Sequence, residues 1–211
     1  MRGLFITFEG IEGCGKSTQA EMLAEYLQQE GKEVFLTREP GGPLISEKIR
    51  HILLSKSNSA MLPETELLLY SASRSQHTGE WILPLLETGN IVISDRYYDS
   101  TRAYQGVARQ IDSDMIEILC RFAAFDLEPD ITFLIDLPAQ QGLSRIKAED
   151  ADRLESEAMD FHERVRQGFL ELAAKEKRII IIDGQNTIEE INRNIIAEYK
   201  KKLESEAKNE T

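Results

Sequence analysis

Apolar positions along the 211-residue chain follow two rhythms in alternation. Short, nearly continuous apolar runs stand at Leu4-Phe5-Ile6-Thr7-Phe8, Glu33-Val34-Phe35-Leu36-Thr37, Ile91-Val92-Ile93-Ser94-Asp95, Ile131-Thr132-Phe133-Leu134-Ile135-Asp136 and Arg178-Ile179-Ile180-Ile181-Ile182-Asp183. Their length and β-branched or aromatic content suit strands buried in a parallel sheet. Between them apolar residues recur at helical spacing: Ala20, Leu23, Ala24 and Leu27, stopped by Gly31; then Ile45, Ile49, Ile52 and Leu53. Pro63 opens a long pattern running through Leu67, Leu68, Tyr70 and Ala72 to Trp81, Leu85 and Leu86, with Thr88-Gly89-Asn90 as its stop. Met115, Ile116, Leu119 and Phe122 predict another amphipathic helix, and Phe161, Val165, Phe169 and Leu172 a further one. Thr187 and Glu190 have the spacing of a capping box for the last helix, and the charged run after Lys200 predicts fraying there. Strands alternating with helices predict an α/β fold with about five parallel strands, helices on both faces, and ligands at the strand C-termini.

The turn after the first strand sharpens this picture. Gly10-Ile11-Glu12-Gly13-Cys14-Gly15-Lys16-Ser17-Thr18 fits G-x-x-x-x-G-K-[ST] between a strand and a helix, the setting of a phosphate loop (P-loop). Glycines let successive backbone N–H groups turn toward phosphate oxygens, and the helix N-terminus adds partial positive charge. Lys16 reaches the terminal phosphates, and the Ser17 hydroxyl suits magnesium. The fold class is therefore a P-loop NTPase fold binding a nucleoside triphosphate, with Gly10 to Thr18 as the nucleotide cradle. The length fits one domain over 1–211. A helix begins near Ala139 and is interrupted at Glu149-Asp150-Ala151-Asp152; Arg145, Lys147 and Arg153 flank the break, which predicts a helical lid near 143–155 that closes over the nucleotide.

A net charge of −12 without a basic stripe argues against nucleic-acid binding, so anionic ligands must be met by a few local cations. Two cysteines, no signal-like N-terminus and no membrane-length apolar run predict a reduced, cytoplasmic setting with no membrane partner. Cys14 serves the loop through its backbone, and Cys120 reads as core.

A P-loop alone does not choose among a kinase, a switch and a mechanical ATPase. Arg38 and Arg96 at strand ends, with Arg74 on the long helix, predict a second phosphate opposite the loop. Tyr70 and Arg74 share a helix face, where a ring and a guanidinium can take a base and a phosphate together. Asp95 ends a buried strand, where a carboxylate orients a metal's water shell; Asp136 reads as structural.

Together, Phe8-Glu9-Gly10, Thr37-Arg38-Glu39-Pro40-Gly41-Gly42, Tyr70 with Arg74, Asp95-Arg96-Tyr97 and Ser100-Thr101-Arg102-Ala103-Tyr104-Gln105-Gly106 resemble the bacterial thymidylate kinases, from the first strand to the last helix. The resemblance implies transfer of the γ-phosphoryl of ATP to dTMP, giving dTDP and ADP in dTTP synthesis, with Mg2+ and as a homodimer. It implies that Arg38, Arg74 and Arg96 hold the dTMP phosphate, Tyr70 stacks on thymine, Thr101 and Gln105 bond the base, and Tyr104 packs against the sugar. Glu9 and Ser100 join the acceptor-binding set, and Ser17 and Asp95 the metal set. Lys16, Arg96, Glu12 and a lid cation, Arg145, Lys147 or Arg153, form the catalytic set. Glu12 in the loop matches the class whose lid supplies the catalytic cation.

Overall fold

Five parallel strands, β1 (Phe5–Glu9), β2 (Val34–Arg38), β3 (Ile91–Asp95), β4 (Ile131–Asp136) and β5 (Ile179–Asp183), stand in the order β2-β3-β1-β4-β5. This computed structural model describes residues 2–147 and 152–209. The sequence reading of five parallel strands holds to within a residue or two at each end. β1, β3 and β4 are almost wholly buried, whereas Leu36 on β2 and Ile181 on β5 are exposed, as edge strands require.

Side-chain alternation sends Phe5 and Val92 to one face and Ile6, Phe8 and Ile93 to the other. The second face carries α1 (Lys16–Gln29), whose Leu23 and Leu27 are buried against it. α2 (Leu44–Leu54) packs against α3 (Pro63–His77), which lies on the first face with α4 (Leu83–Glu87), α5 (Tyr98–Thr101) and α6 (Ser113–Ala123), with Leu67, Leu86, Tyr98, Ile116 and Cys120 in its core. The chain continues through α7 (Ala139–Leu143), α8 (Met159–Lys175) and α9 (Ile188–Asn209). The expected capping box opens α9: Glu190 N donates to Thr187 Oγ1 at 3.3 Å and Thr187 N to Glu190 Oε2 at 3.1 Å.

Two departures from helical expectation matter. The long helix from Pro63 widens into a π turn at Thr78–Ile82, immediately before Pro84, whose missing N–H breaks the regular ladder. A second π segment, Arg102–Ala108, follows α5 and carries Tyr104 and Gln105. It is pinned from below by Asp99, fully buried, which accepts from both terminal nitrogens of Arg178 at 2.7 and 2.8 Å and from Arg102 at 3.1 Å. The two guanidinium carbons lie 4.6 and 5.3 Å from the centroid of the Tyr98 ring. Paired and hydrogen-bonded in this way, the charges tolerate burial.

Of the predicted lid, Ala148, Glu149, Asp150 and Ala151 lie outside the described residues; its near flank is α7 and the following turn to 147, and its far flank begins at Asp152. The near flank docks on the P-loop through a glycine pair. A Cβ on Gly13, at φ 68°, would meet Gly142 O at 2.1 Å, and one on Gly142 would meet Glu12 O at 2.3 Å. Asp136, expected to be structural, accepts two bonds from Arg166 of α8 at 2.7 and 2.8 Å. Gly142→Ala should therefore cost about 1–3 kcal/mol in urea unfolding and raise KM for ATP; unchanged values for both would contradict the close approach.

Candidate active site

The order β2-β3-β1-β4-β5 puts a topological switch beside β1, where strands on either side of it lead the chain in opposite directions. The P-loop leaves β1 there and Asp95-Arg96 leaves the adjacent β3. Between them opens a cleft of about 280 Å³. Gly15, the N-cap of α1 at φ 100°, turns the loop into the helix. Lys16 curls back so that its Nζ donates to Ile11 O at 2.7 Å, within the arc of the loop. Ser17 Oγ donates to Asp95 Oδ2 at 2.5 Å, and Asp95 Oδ1 is buried with no partner among the described residues. An ionisable oxygen in that state is a ready seat for a cation or its water shell. Burial pushes the Cys14 thiol up despite nearby Lys16, so it is no nucleophile.

Glu12 is the acidic member of the loop. Its Oε1 accepts from Arg96 Nη2 at 3.0 Å and from the Tyr104 hydroxyl at 2.5 Å, while His162 Nδ1 lies 3.5 Å from Oε2. Burial alone would raise this carboxyl, but Arg96, His162, Lys16 and Tyr104 together hold it at about 2. Arg96 adopts a left-handed backbone, φ 73°, unusual for a residue with a Cβ. Its Nη1 also donates to Gly10 O and Ser100 Oγ, each at 2.9 Å. The guanidinium thus bolts the P-loop to the chain after β3.

Across the cleft, Arg38, Arg74 and Arg96 all line one space together with Tyr70, Ser100, Thr101, Tyr104 and Gln105, as the sequence reading requires. Their states differ. Arg38 is exposed and paired with Glu47 at 3.0 Å. Arg74 is 1% exposed, and its Nε donates to Glu39 Oε2 at 2.9 Å; Glu39 Oε1 lies 3.0 Å from His77 Nδ1, whose Nε2 meets Thr37 Oγ1 at 2.8 Å. With Nη2 donating to Tyr97 O at 3.3 Å, the neutralised guanidinium keeps the NH2 group at Nη1 without a partner among the described residues. Thr101 Oγ1 is likewise buried and unpartnered.

Two expectations change. Glu9 does not line the cleft: its oxygens accept from Tyr97 N at 2.8 Å and Ser100 Oγ at 2.6 Å, so it supports the wall from behind. Arg153 is turned away, its Nε donating to Leu53 O at 2.8 Å and its Nη1 pairing with buried Glu66 at 2.6 Å. Its neighbours Asp152 and Glu155 line the cleft instead. Among the three candidate lid cations Arg145 approaches the loop, donating to Gly13 O at 3.0 Å. The Tyr104 hydroxyl donates to Glu12 Oε1, and its ring stays on the cleft wall.

Arg50 was not singled out from the sequence, yet it lines the cleft on α2, with Nη1 donating to Pro40 O at 2.7 Å. Burial and then the neighbouring Arg38 charge lower its pKa, the mark of two cations sharing space that an anion can fill. The available signal was its place beside the Ile49-Ile52 stripe, on the flank that turns toward the end of β2.

Arg145→Ala should lower kcat by about tenfold or more without loss of stability, whereas Arg153→Ala should cost about 1–3 kcal/mol in urea unfolding. The reverse pattern would restore Arg153 as the lid cation. Glu12 titrates at about 2 in the folded protein against an ordinary carboxylate value of 4.5, so its contribution is complete above pH 4.5 and disappears as pH falls toward 2. Glu12→Gln should flatten the acid limb of stability between pH 4.5 and 2, by on the order of 3 kcal/mol in total; an unchanged limb in denaturant titrations would contradict this.

Comparison with known proteins agrees with this geometry. The thymidylate kinase family model matches residues 8–195. The chain is 50% identical over 192 residues to a thymidylate kinase of Carboxydothermus hydrogenoformans, covering 90% of this chain and 94% of that one. It is 50% identical over 195 residues to one from Geobacter sulfurreducens, covering 89% and 92%. The crystal structure of thymidylate kinase from Ehrlichia chaffeensis superposes with a TM-score of 0.76 at 37% identity, over 93% of this chain and 98% of that chain. With a P-loop facing an arginine-lined wall across one cleft, and with these matches over most of its length, the chain belongs to the thymidylate kinase family.

Proposed function

We propose that this kinase transfers the γ-phosphoryl of ATP to dTMP, giving dTDP and ADP. The observation that carries the reading is that Lys16 and Ser17 on one wall and Arg38, Arg50, Arg74 and Arg96 on the other line the same cleft. A phosphate monoester is already an anionic nucleophile near neutral pH, so no general base is needed. The task is to hold two mutually repelling phosphates in line and neutralise the charge on the transferred group. The bond from the γ-phosphorus to the β,γ-bridging oxygen breaks as one to the acceptor phosphate oxygen forms, and ADP leaves.

On the donor side the loop amides and Lys16 hold the β and γ phosphates. Ser17 and Asp95 would hold Mg2+, which would supply positive charge against the donor phosphates. Arg145 is the lid cation, and the segment near 143–155 is the lid of a single kinase domain. On the acceptor side Arg38, Arg50 and Arg96 take the phosphate. Arg74, its charge already met by Glu39, suits a neutral carbonyl on the base better than a phosphate dianion. Tyr70, one helical turn before it, supplies the stacking face, and Thr101 and Gln105 supply hydrogen bonds. The aromatic wall of Tyr104 faces the sugar.

A homodimer fits the apolar residues left outside the core on adjacent helices: Leu68 on α3 and Met115, Ile118 and Phe122 on α6 are all exposed. Two buried free cysteines fit a reduced, cytoplasmic setting, and among the described residues no helix is long and apolar enough to cross a membrane. The acidic surface disfavours nucleic acid as a partner.

An ATP-coupled assay offering dTMP, dUMP, dCMP, AMP and thymidine should show ADP release that depends on dTMP, and Lys16→Ala should lower it at least about a hundredfold. Equal ATP hydrolysis with and without acceptor would contradict the reading and indicate a nucleotide switch.

A further inference from the structure

Glu66 is not part of the cleft wall, yet it is one of the most heavily bonded side chains behind it. It is 1% exposed, on the first turn of α3. Its Oε1 accepts from Gln105 Nε2 at 2.7 Å and Arg109 Nε at 3.2 Å. Its Oε2 accepts from Arg109 Nη2 at 3.2 Å and pairs with Arg153 Nη1 at 2.6 Å. Gln105 is also 1% exposed, but it does line the cleft.

This arrangement fixes which end of an amide the cleft receives. Burial would raise the Glu66 carboxyl, but the bonds from Arg109 and Gln105 and the charge of Arg153 outweigh it and hold the group ionised. An ionised carboxylate only accepts, so Gln105 can turn only its NH2 group toward Glu66. The flipped amide would set a carbonyl oxygen against a carboxylate oxygen. The carbonyl end of Gln105 is thereby left for the cleft as an acceptor. Arg74 Nη1, the unpartnered N–H group of the same wall, is fixed as a donor, because a guanidinium cannot accept. Thr101 Oγ1 can rotate to do either and discriminates nothing.

A wall with one fixed acceptor and one fixed donor matches a pyrimidine edge carrying an N3–H and a C4 carbonyl. It opposes one with a bare N3 and a C4 amino group, where both pairs would face like against like. We propose that Glu66 is a positioning residue which, by locking the Gln105 amide, sets the preference for a thymine-type acceptor over a cytosine-type one. The inference rests on the acceptor reading above and deepens it: the selectivity comes from a carboxylate that never touches the base. Leaving buried polar groups unpaired is what allows a hydrogen-bonding site to reject an analogue strongly.

The test compares kcat/KM for dTMP and dCMP in the full-length wild-type enzyme and in Glu66→Gln. The new side chain can donate as well as accept, so the Gln105 amide is free to turn around. The dTMP-to-dCMP ratio should fall at least tenfold with KM for ATP unchanged. In a Gln105→Met background the same Glu66→Gln change should leave the ratio where Gln105→Met alone puts it. A merely structural Glu66 would lower both acceptors alike, and an unchanged ratio in a folded Glu66→Gln enzyme overturns the proposal. Wild-type protein labelled with 15N-glutamine gives a second measurement that needs no variant. The Gln105 side-chain amide protons should exchange slowly with solvent both before and after dTMP is added, and fast exchange in the free protein overturns the proposal. Failure of wild type to phosphorylate dTMP would sink the acceptor reading, and the exchange measurement would still decide whether Glu66 locks Gln105.

Discussion

The ion pair between Glu12 and Arg96 is the constraint on which the rest of the site depends. A carboxylate inside a phosphate loop repels the ligand the loop exists to bind, and burial makes that worse. Arg96 offsets both effects by reaching from the end of β3 into the back of the loop, where it also holds Gly10 O. Because β1 and β3 are hydrogen-bonded neighbours, with Phe8 opposite Asp95, the pair has a rigid base. The distance between the donor cradle and the acceptor wall is then set by the sheet rather than by loops.

The acceptor wall uses the same device a second time. Glu39 neutralises Arg74 and is itself held through His77 and Thr37, so a guanidinium can stand fully buried beside the cleft without the cost of an unpaired charge. Full cationic strength is kept for Arg38 and Arg50 at the mouth, where solvent shares the cost of ionisation. On the proposed acceptor reading, the wall grades from charged at the phosphate end to neutral and directional at the base end. That is the division a nucleoside monophosphate presents.

Much of this was legible in the sequence, for physical reasons. Strands buried on both faces must be continuously apolar, so β1, β3 and β4 announced themselves, and the P-loop needs glycine at fixed places. Long-range pairing was hidden. Nothing local to Arg153 says that its partner is Glu66, 87 positions earlier in the chain, and its place next to a predicted lid pointed to the nucleotide instead. Glu9 was placed with the ligand by the resemblance of Phe8-Glu9-Gly10, but the turn after β3 comes close enough for Tyr97 and Ser100 to take both its oxygens. The π segment Arg102–Ala108 was invisible, because one extra residue per turn leaves no composition signal, although it sets which side of that segment reaches the cleft. Arg50 was overlooked because a helical arginine beside an apolar stripe ordinarily faces solvent.

If Glu12 acts through Arg96, the two residues behave as one unit in turnover. The direct measurement is a double-mutant cycle with Glu12→Gln and Arg96→Lys, reading kcat/KM for dTMP at saturating ATP. The account predicts strong coupling, with Glu12→Gln costing at least about tenfold less in the Arg96→Lys background than in wild type. Effects that simply multiply, each change costing the same with or without the other, would contradict it.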